Sequence, residues 1–220
     1  MRSQLATLKN PEMILRIARE ENKLEDVERI CIFKSTETFD QLRKNKLVKE
    51  DALLFINSIA SVSLNDEDRE RFHRYFSHIQ SQIVVEVTEE ENMSEEALIR
   101  KRETKGFSGM FALDDYGSGY NTEINLLNLS PKYIKIDLTI VRNIDKDFDK
   151  QQLVSNIVEY AHQREGYIIA EGIETKEELL KVLELGVDYL QGYYLSYPQL
   201  NPQEVSNESI KTIENYWKKR

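Results

Sequence analysis

The chain has 220 residues, of which 40% are hydrophobic and 31% are charged, and its formal net charge is −9. This composition is typical of a folded globular protein, and the negative charge argues against binding to nucleic acid polymers, which calls for a basic face. The single cysteine, Cys31, excludes a disulfide framework and favours a cytoplasmic location. Because no signal peptide and no apolar run of about eighteen residues occurs, we expect no membrane contact.

Short apolar runs alternate with amphipathic helices along the whole chain. Residues 11–45 have apolar side chains at helical spacing, including Val27, Ile30 and Cys31. Six apolar runs predict strands, and a seventh strand is predicted around Tyr193 to Leu195. The six runs are 52–58, 82–89, 109–115, 133–137, 166–172 and 187–195. The remaining predicted helices begin near Asn65 or cover 93–104, 149–164, 176–186 and 203–219, the last with Ile210, Ile213 and Trp217 on one side.

The alternation of strands and helices indicates parallel strands joined by βαβ crossovers, so the fold class is α/β. Runs such as VVEV and LLFIN are almost continuously apolar, as expected for strands that are buried on both faces. An open doubly wound sheet and a TIM-type barrel both fit this pattern.

Polar side chains at the ends of successive strands favour the barrel, whose active sites form at the carboxyl ends of several strands. Oxygen ligands of this kind suit Mg²⁺ or Mn²⁺, whereas zinc would call for histidine or cysteine. His73, His78 and His162 lack ligand spacing, and we expect them at the surface. The residues at the strand ends are Asn57, Glu86, Asp114, Asp115, Lys135, Asp137, Glu171 and Gln191.

The adjacent Asp114 and Asp115 are the most specific feature of this pattern. One aspartate before a helix is a common N-cap, but two like charges in contact repel each other unless a cation lies beside them. A pair of aspartates can bridge or flank two metal ions roughly 3.5–4 Å apart, a geometry used in phosphoryl displacement. Gly117 and Gly119 then leave the following loop free to close over a substrate.

Six ordered motifs carry a family resemblance that spans essentially the whole chain. LLFINS, VVEVTE, ALDDYGSGYN, LSPKYIKID, IIAEGIET and DYLQGYYLSYP resemble the motifs of the EAL-domain family of bacterial cyclic di-GMP phosphodiesterases. The resemblance implies a modified (β/α)₈ barrel, a hydrolase with a site for two Mg²⁺ or Mn²⁺ ions, and cyclic di-GMP as the ligand. It also implies that residues 1–220 form one such domain of a longer signalling protein, which could be the cytoplasmic part of a sensor.

The resemblance assigns a role to each matching position. Lys135 matches the lysine that orients and activates the attacking water. Tyr116 and Ser118 stand where the family commonly has Phe and Thr, which are mild changes. The implied metal ligands are Asn57, Glu86 and Asp114, with Asp115 and Glu171 at the second metal or its water and Asp137 nearby. Further implied site residues are Arg2, which matches a substrate-binding position, Glu89, which steadies the loop after the aspartates, and Glu174 and Gln191.

The first motif of the family departs from the pattern. The Glu-Ala-Leu tripeptide occurs only at residues 96–98, inside a predicted helix, while Met1 and Arg2 fit the positions directly after the tripeptide. We therefore expect a barrel without its first strand, whose open edges favour a homodimer. Because a metal-binding glutamate would be missing, hydrolysis by residues 1–220 is expected to be weak or absent.

Three functions are compatible with these residues. The first is metal-dependent hydrolysis of cyclic di-GMP to the linear dinucleotide pGpG. The second is a non-catalytic module that binds cyclic di-GMP or a protein partner. The third is an unrelated barrel enzyme of the enolase type, with Lys135 as the base, which would need a carboxylate substrate. The six motifs favour the first function.

Overall fold

The structure, a computed structural model, describes residues 11–59, 61–88, 110–119, 122–199 and 202–219. The described residues fall into two compact units, one formed by residues up to Val87 with Met110, the other by Thr88 and the residues from Phe111 onward. Within these ranges, none of the helices combines the length and the apolar character needed to cross a membrane.

The described part of the first unit is a pair of parallel strands with three α-helices. The strands are in register from Leu54 opposite Ile83 to Asn57 opposite Glu86, so β1 ends beside Glu86 while β2 continues to Thr88. The side-chain oxygen of Asn65 caps the third helix by accepting a 2.8 Å hydrogen bond from a backbone N–H of its first turn. The elements are α1 (Pro11–Glu20), α2 (Leu24–Lys44), β1 (Leu54–Asn57), α3 (Asp66–Phe76), a 3₁₀ turn (Gln80–Gln82) and β2 (Ile83–Thr88).

The core of the first unit lies between the strand pair and helices α2 and α3. Ile56 and Ile83 from the strands are buried with Ile32 and Phe72 from the helices. Phe33 lies edge-on against Phe72, with the ring centroids 5.5 Å apart. The apolar run at 52–58 and the predicted helix before it therefore meet in one core.

Helix α2 buries a different face from the one that its apolar pattern suggests. Ile30 is 56% exposed, whereas Glu28 and Ile32 are each 2% exposed. Thr36 and Phe39 are also buried, so the inward face runs along positions three and four residues apart. A carboxylate is therefore part of the buried face of this helix.

The described part of the second unit contains four parallel strands, and each connection between consecutive strands includes a helix. Pairing runs from β3 to β4, from β4 to β5 and from β5 to β6, which is the predicted βαβ arrangement. The elements are β3 (Met110–Tyr116), α4 (Thr122–Leu129), β4 (Tyr133–Ile136), α5 (Leu138–Val141), α6 (Phe148–His162), β5 (Tyr167–Ala170), α7 (Lys176–Glu184), β6 (Tyr189–Leu190) and α8 (Asn207–Lys218).

Side-chain caps fix where the helices of the second unit begin. Asp147 accepts hydrogen bonds from two backbone N–H groups at the start of α6. Thr175 and Glu178 form a reciprocal capping box at α7, and Ser206 caps α8. In chain order, the capped helices α6 and α7 lie directly before and after strand β5.

The prediction of a seventh strand at Tyr193–Leu195 is wrong. These residues form a turn, in which the backbone N–H of Leu195 donates a 3.1 Å hydrogen bond to the carbonyl of Gly192. The backbone N–H of Tyr194 donates a 3.0 Å hydrogen bond to the carbonyl of Ile173 in the loop after β5, and the carbonyl of Leu195 accepts one from Ser206, so these residues do not continue the strand ladder. The predicted helix at 93–104 lies outside the described residues.

Helix α8 is attached to this turn by polar contacts. The hydroxyl of Ser209 donates a 2.6 Å hydrogen bond to the carbonyl of Tyr194, and Ser209 and Thr212 are buried. Ile210 and Trp217 on the predicted apolar side are exposed instead. The hydroxyl contacts explain why the polar residues of α8 face the protein.

Candidate metal and active site

Strand β3 ends in a β-bulge that contains the two adjacent aspartates. The register shifts between Leu113 and Tyr116, so that Asp114 and Asp115 together lie opposite a single residue of β4, Lys135. Asp115 has a φ of +58°, a left-handed conformation that aspartate adopts more readily than most residues. In a regular strand, neighbouring side chains point to opposite faces, and the extra residue of a bulge removes this constraint.

Three carboxylates meet at the carboxyl ends of β3 and β5. Asp114, Asp115 and Glu171 each have an oxygen within 4.8 Å of the other two, and we call them the carboxylate cluster. Glu171 directly follows β5, and its backbone N–H donates a 3.1 Å hydrogen bond to the carbonyl of Ile136 on β4. Among the described residues, this is the single group of three or more acidic, histidine or cysteine side chains close enough to share a metal ion.

The ammonium group of Lys135 lies between two members of the carboxylate cluster. Its Nζ atom is 2.7 Å from Oδ1 of Asp114 and 2.8 Å from Oε1 of Glu171. The side chains of all three residues are at most 14% exposed. Carboxylates this close repel one another when charged, and a buried ammonium partner offsets much of that repulsion. Three carboxylates facing one ammonium still leave the site with negative charge.

This donor set fits a hard divalent cation. Carboxylate oxygens are the preferred ligands of Mg²⁺ and suit Mn²⁺, and the remaining negative charge would attract either ion. In the part of the chain that the structure describes, the carboxylate cluster includes none of the histidine or cysteine ligands that zinc prefers. His73, His78 and His162 are exposed, as the sequence predicts.

Asp137 is positioned as a helix cap. Its Oδ1 atom accepts hydrogen bonds from the backbone N–H and the hydroxyl of Thr139, at 2.8 and 2.5 Å, at the start of α5. It is buried but is not a member of the carboxylate cluster. The structure therefore gives this carboxylate a capping contact, and its predicted place near the metals stays a prediction.

Glu174 lies in the loop between β5 and α7 and is paired with an arginine. Its Oε1 atom is 2.6 Å from a guanidinium nitrogen of Arg142, which follows α5. This hydrogen bond lowers the pKa of Glu174 below its ordinary value and raises the pKa of Arg142. The ion pair joins the segment after β4 to the segment after β5.

Glu178 joins the same two segments from the interior. It is 1% exposed, and its carboxylate accepts hydrogen bonds from the backbone N–H groups of Asn143, Glu174 and Thr175, at 2.9, 2.9 and 3.1 Å. Burial acts to raise the pKa of Glu178, but the three backbone hydrogen bonds outweigh burial, so its pKa is lower than the ordinary value. A charged Glu178 therefore holds the loop that carries Glu174.

Gln191 follows β6 at the same end of the sheet as Glu171. Its backbone N–H donates a 2.8 Å hydrogen bond to the carbonyl of Ala170, and its carbonyl accepts a 3.1 Å hydrogen bond from Ile173. Its side chain is exposed. Its backbone is thus fixed beside the loop that begins with Glu171.

Two of the predicted metal ligands belong to the first unit. Asn57 and Glu86 lie opposite each other on β1 and β2, and the backbone N–H of Ser58 donates a 3.0 Å hydrogen bond to the carbonyl of Glu86. Glu86 is buried and Asn57 is exposed. Arg2 and Glu89, the predicted substrate-binding and loop-supporting residues, lie outside the described residues.

Sequence reasoning missed Arg142 and Glu178. The pattern Thr-x-x-Glu at 175–178 is a capping-box signature, so a helix start with a reciprocal glutamate was detectable. Nothing in the local pattern around Arg142 indicates its ion pair, because the partner is separated by a strand and a helix.

Comparison with known proteins matches the EAL domain family model to residues 1–198. The cyclic di-GMP phosphodiesterase PdeF of Escherichia coli K12 is 33% identical over 120 residues, which are 54% of this chain and 16% of that protein. The cyclic di-GMP phosphodiesterase PdeL of the same organism is 42% identical over 88 residues, which are 40% of this chain and 24% of PdeL. The chain thus spans a quarter or less of the length of these relatives.

Solved structures of EAL proteins have the same fold. Klebsiella pneumoniae BlrP1, in a complex with calcium and cyclic di-GMP, has a TM-score of 0.72 and 25% identity, covering 90% of this chain and 51% of that one. The EAL enzyme Bd1971, bound to cAMP and cyclic di-GMP, has a TM-score of 0.72 and 28% identity, covering 90% and 55%. These matches confirm the family resemblance and the predicted α/β class with a modified barrel.

Proposed function

Because the chain belongs to the EAL domain family, we propose that it hydrolyses cyclic di-GMP to linear pGpG in a reaction that requires Mg²⁺ or Mn²⁺. The observation that carries this proposal is the carboxylate cluster of Asp114, Asp115 and Glu171 with Lys135 between two of its members. The relatives PdeF and PdeL are named as cyclic di-GMP phosphodiesterases, which supports the choice of substrate.

The carboxylate cluster would hold the divalent metal ions. Bound in such a site, these ions supply a Lewis acid for the phosphodiester and lower the pKa of water. Asp114 would be one of their ligands, and its position in the bulge places it beside both Asp115 and Lys135. Asn57 and Glu86 remain predicted ligands of the same ions, and Asp137 remains a predicted neighbour of them.

Other residues of the chain would orient the water, accept its proton and bind the dinucleotide. Lys135 would orient the attacking water and place a positive charge beside the charge that develops on the phosphate oxygens. Asp115 or Glu171 would accept the proton that the water loses, and the sugar oxygen that leaves the phosphate would take up a proton from solvent. Glu174 and Gln191, which lie in the loops after β5 and β6, would contact the dinucleotide, as would Arg2, and Glu89 would support the loop after the aspartates.

Membership of the EAL domain family supports a proposal about the cellular role of the chain. We propose a bacterial signalling role in the cytoplasm for this domain within a longer protein. The homodimer also stays a prediction, and light scattering on the purified protein tests it directly.

A product assay tests the proposed function. The protein is incubated with cyclic di-GMP in Mg²⁺, in Mn²⁺ or in EDTA, and pGpG is quantified by chromatography. Slow formation of pGpG that depends on the metal is the expected result, so the assay is run with enzyme in excess. Tight binding of cyclic di-GMP without any product in either metal would instead indicate the non-catalytic binding module.

A further inference from the structure

A buried carboxylate in the first unit is hydrogen-bonded to the two residues that follow strand β1. Glu28 lies on the inward face of α2 and is 2% exposed. One of its oxygens accepts a hydrogen bond from the hydroxyl of Ser58, and the other accepts a 2.9 Å hydrogen bond from the backbone N–H of Ile59. The two bonded residues directly follow Asn57, the last residue of β1.

The burial of the Glu28 carboxylate carries a cost in folding free energy. Burying a carboxylate is unfavourable, and the cost is offset only when hydrogen bonds or charges satisfy its oxygens. An apolar residue at position 28 would continue the buried face that Ile32 and Phe39 form on the same helix. Both oxygens of Glu28 instead accept hydrogen bonds from the loop after β1.

The loop after β1 is hydrogen-bonded both to strand β2 and to helix α2. The backbone N–H of Ser58 donates to the carbonyl of Glu86 on β2, while its hydroxyl donates to Glu28 on α2. Asn57 lies opposite Glu86 in the strand register, one residue before this double attachment. The residues directly after Asn57 are therefore fixed both by β2 and by Glu28, a residue 29 positions before Asn57 in the chain.

We propose that Glu28 is a positioning residue for Asn57, which it orients for metal binding by fixing Ser58 and Ile59. The proposal rests on the proposed function in so far as Asn57 is a metal ligand there. Outer residues that orient metal ligands typically change metal affinity about 10- to 100-fold when they are replaced. Because Glu28 acts through Asn57, its replacement should have no further effect on metal affinity once Asn57 itself is removed.

The test uses Glu28→Gln, which keeps the size of the side chain, and Ser58→Ala, which removes the hydroxyl from the other side of the contact. Mn²⁺ binding is titrated by electron paramagnetic resonance without substrate, with and without Asn57→Ala. We expect both variants to weaken Mn²⁺ binding about 10- to 100-fold when Asn57 is present and to add nothing in the Asn57→Ala background. Unchanged Mn²⁺ affinity, or an equal loss in both backgrounds, would overturn the proposal.

Asp40→Asn is the matched control. Asp40 is another buried carboxylate of α2, but it bonds Lys44 and His78, at 2.6 and 2.9 Å, instead of the loop after β1. Its replacement should leave the Mn²⁺ affinity unchanged.

A second readout separates this proposal from the proposed function. The side-chain amide signals of Asn57 in ¹⁵N-correlated NMR spectra report its orientation without any metal. We expect Glu28→Gln to displace these signals and Asp40→Asn to leave them in place. If the wild-type protein bound no Mn²⁺, the proposed function would fail, and the Asn57 signals alone would decide: displaced signals support the positioning role, and unchanged signals refute it.

Discussion

The Nζ atom of Lys135 lies 2.7 Å from Oδ1 of Asp114, and both side chains are almost completely buried. The bulge in β3 produces this relationship, because it sets Asp114 and Asp115 opposite the single residue Lys135. Two like charges at the end of a strand are therefore not a folding defect. They lie beside a cation, and the negative charge that remains is what a divalent metal site needs.

Replacing Lys135 should make the stability of the protein depend on metal. Lys135→Ala leaves Asp114 and Glu171 without their shared ammonium partner, and removing one partner of a buried ion pair costs about 3–5 kcal/mol. We expect this loss in EDTA and a partial recovery in Mn²⁺, since the divalent ion replaces the missing positive charge. Urea unfolding in EDTA and in Mn²⁺ measures both effects.

The control for this prediction is Lys181→Ala. Lys181 pairs with Glu184 on one helix, and such surface pairs contribute at most about 1 kcal/mol. If Lys135→Ala cost no more than Lys181→Ala in EDTA, the ammonium would not be offsetting repulsion in the carboxylate cluster.

Asp115 has two separable properties, its backbone conformation and its charge. Asparagine also adopts a positive φ readily, so Asp115→Asn should fold as stably as the wild type while losing a metal ligand. Alanine at a φ of +58° costs about 1–2 kcal/mol, so Asp115→Ala should lose both properties. Melting temperatures with and without Mn²⁺ distinguish the variants. A full Mn²⁺-induced rise in Asp115→Asn would argue against the ligand role.

Gly172, the residue after Glu171, should tolerate no side chain. It has a φ of +68°, and a Cβ atom there would lie 2.4 Å from the Cβ of Leu138. Gly186 has a similar φ of +86° but an open surrounding, with its nearest neighbour, on Val158, at 3.5 Å. We expect Gly186→Ala to cost about 1–2 kcal/mol from the backbone alone and Gly172→Ala to cost about 1–3 kcal/mol more from overpacking.

Urea unfolding of these two glycine variants gives the difference directly. Equal costs would mean that the segment around Leu138 moves aside easily. In that case the close packing of Gly172 against Leu138 would not restrict the position of the neighbouring Glu171.

The stability contributed by Glu178 should depend on pH. Its pKa is lowered in the folded protein, so its contribution is complete above its unfolded pKa of about 4.3 and is lost as the pH falls through its folded pKa. Hydrogen bonds to a charged group are worth about 1.5–3 kcal/mol, and Glu178→Gln should cost about that much at pH 7. The difference from the wild type should shrink below pH 4.

Glu177→Gln is the control, because Glu177 is an exposed acid in the same first turn of α7. At pH 7 the free energy of unfolding of Glu177→Gln should stay close to that of the wild type. A Glu178→Gln difference that remained constant down to pH 3 would show that the charge of Glu178 is not what holds the loop.

The sequence was sufficient to predict the strand ends that carry Asp114, Lys135 and Glu171. Apolar runs between amphipathic helices are a local pattern, and parallel strands bring their carboxyl ends to one edge of a sheet. This pattern therefore placed Asp114, Asp115 and Glu171 at one edge of the sheet, but it did not distinguish them from Asp137, whose contacts in the structure are those of a helix cap.

The contacts that depend on distant partners could not be predicted in this way. The bulge at Asp115 is a mismatch between two strands, and the buried role of Glu28 depends on a loop 30 residues later. The prediction of a strand at Tyr193–Leu195 failed for the same reason. Its aromatic residues favour strands. In the structure these residues form a turn, and the N–H of Tyr194 bonds the distant carbonyl of Ile173.

The most direct test is the turnover of cyclic di-GMP by Asp114→Asn at saturating Mn²⁺, measured as pGpG formed with enzyme in excess so that weak hydrolysis is detected. Asn keeps the shape of the side chain but removes the charge that faces Lys135 and the other carboxylates. We expect metal-dependent pGpG from the wild type and a rate at least about 10²- to 10³-fold lower from Asp114→Asn. Near-normal turnover by Asp114→Asn, or equal product from the wild type in EDTA, would contradict the proposal that the carboxylate cluster binds the metal for hydrolysis.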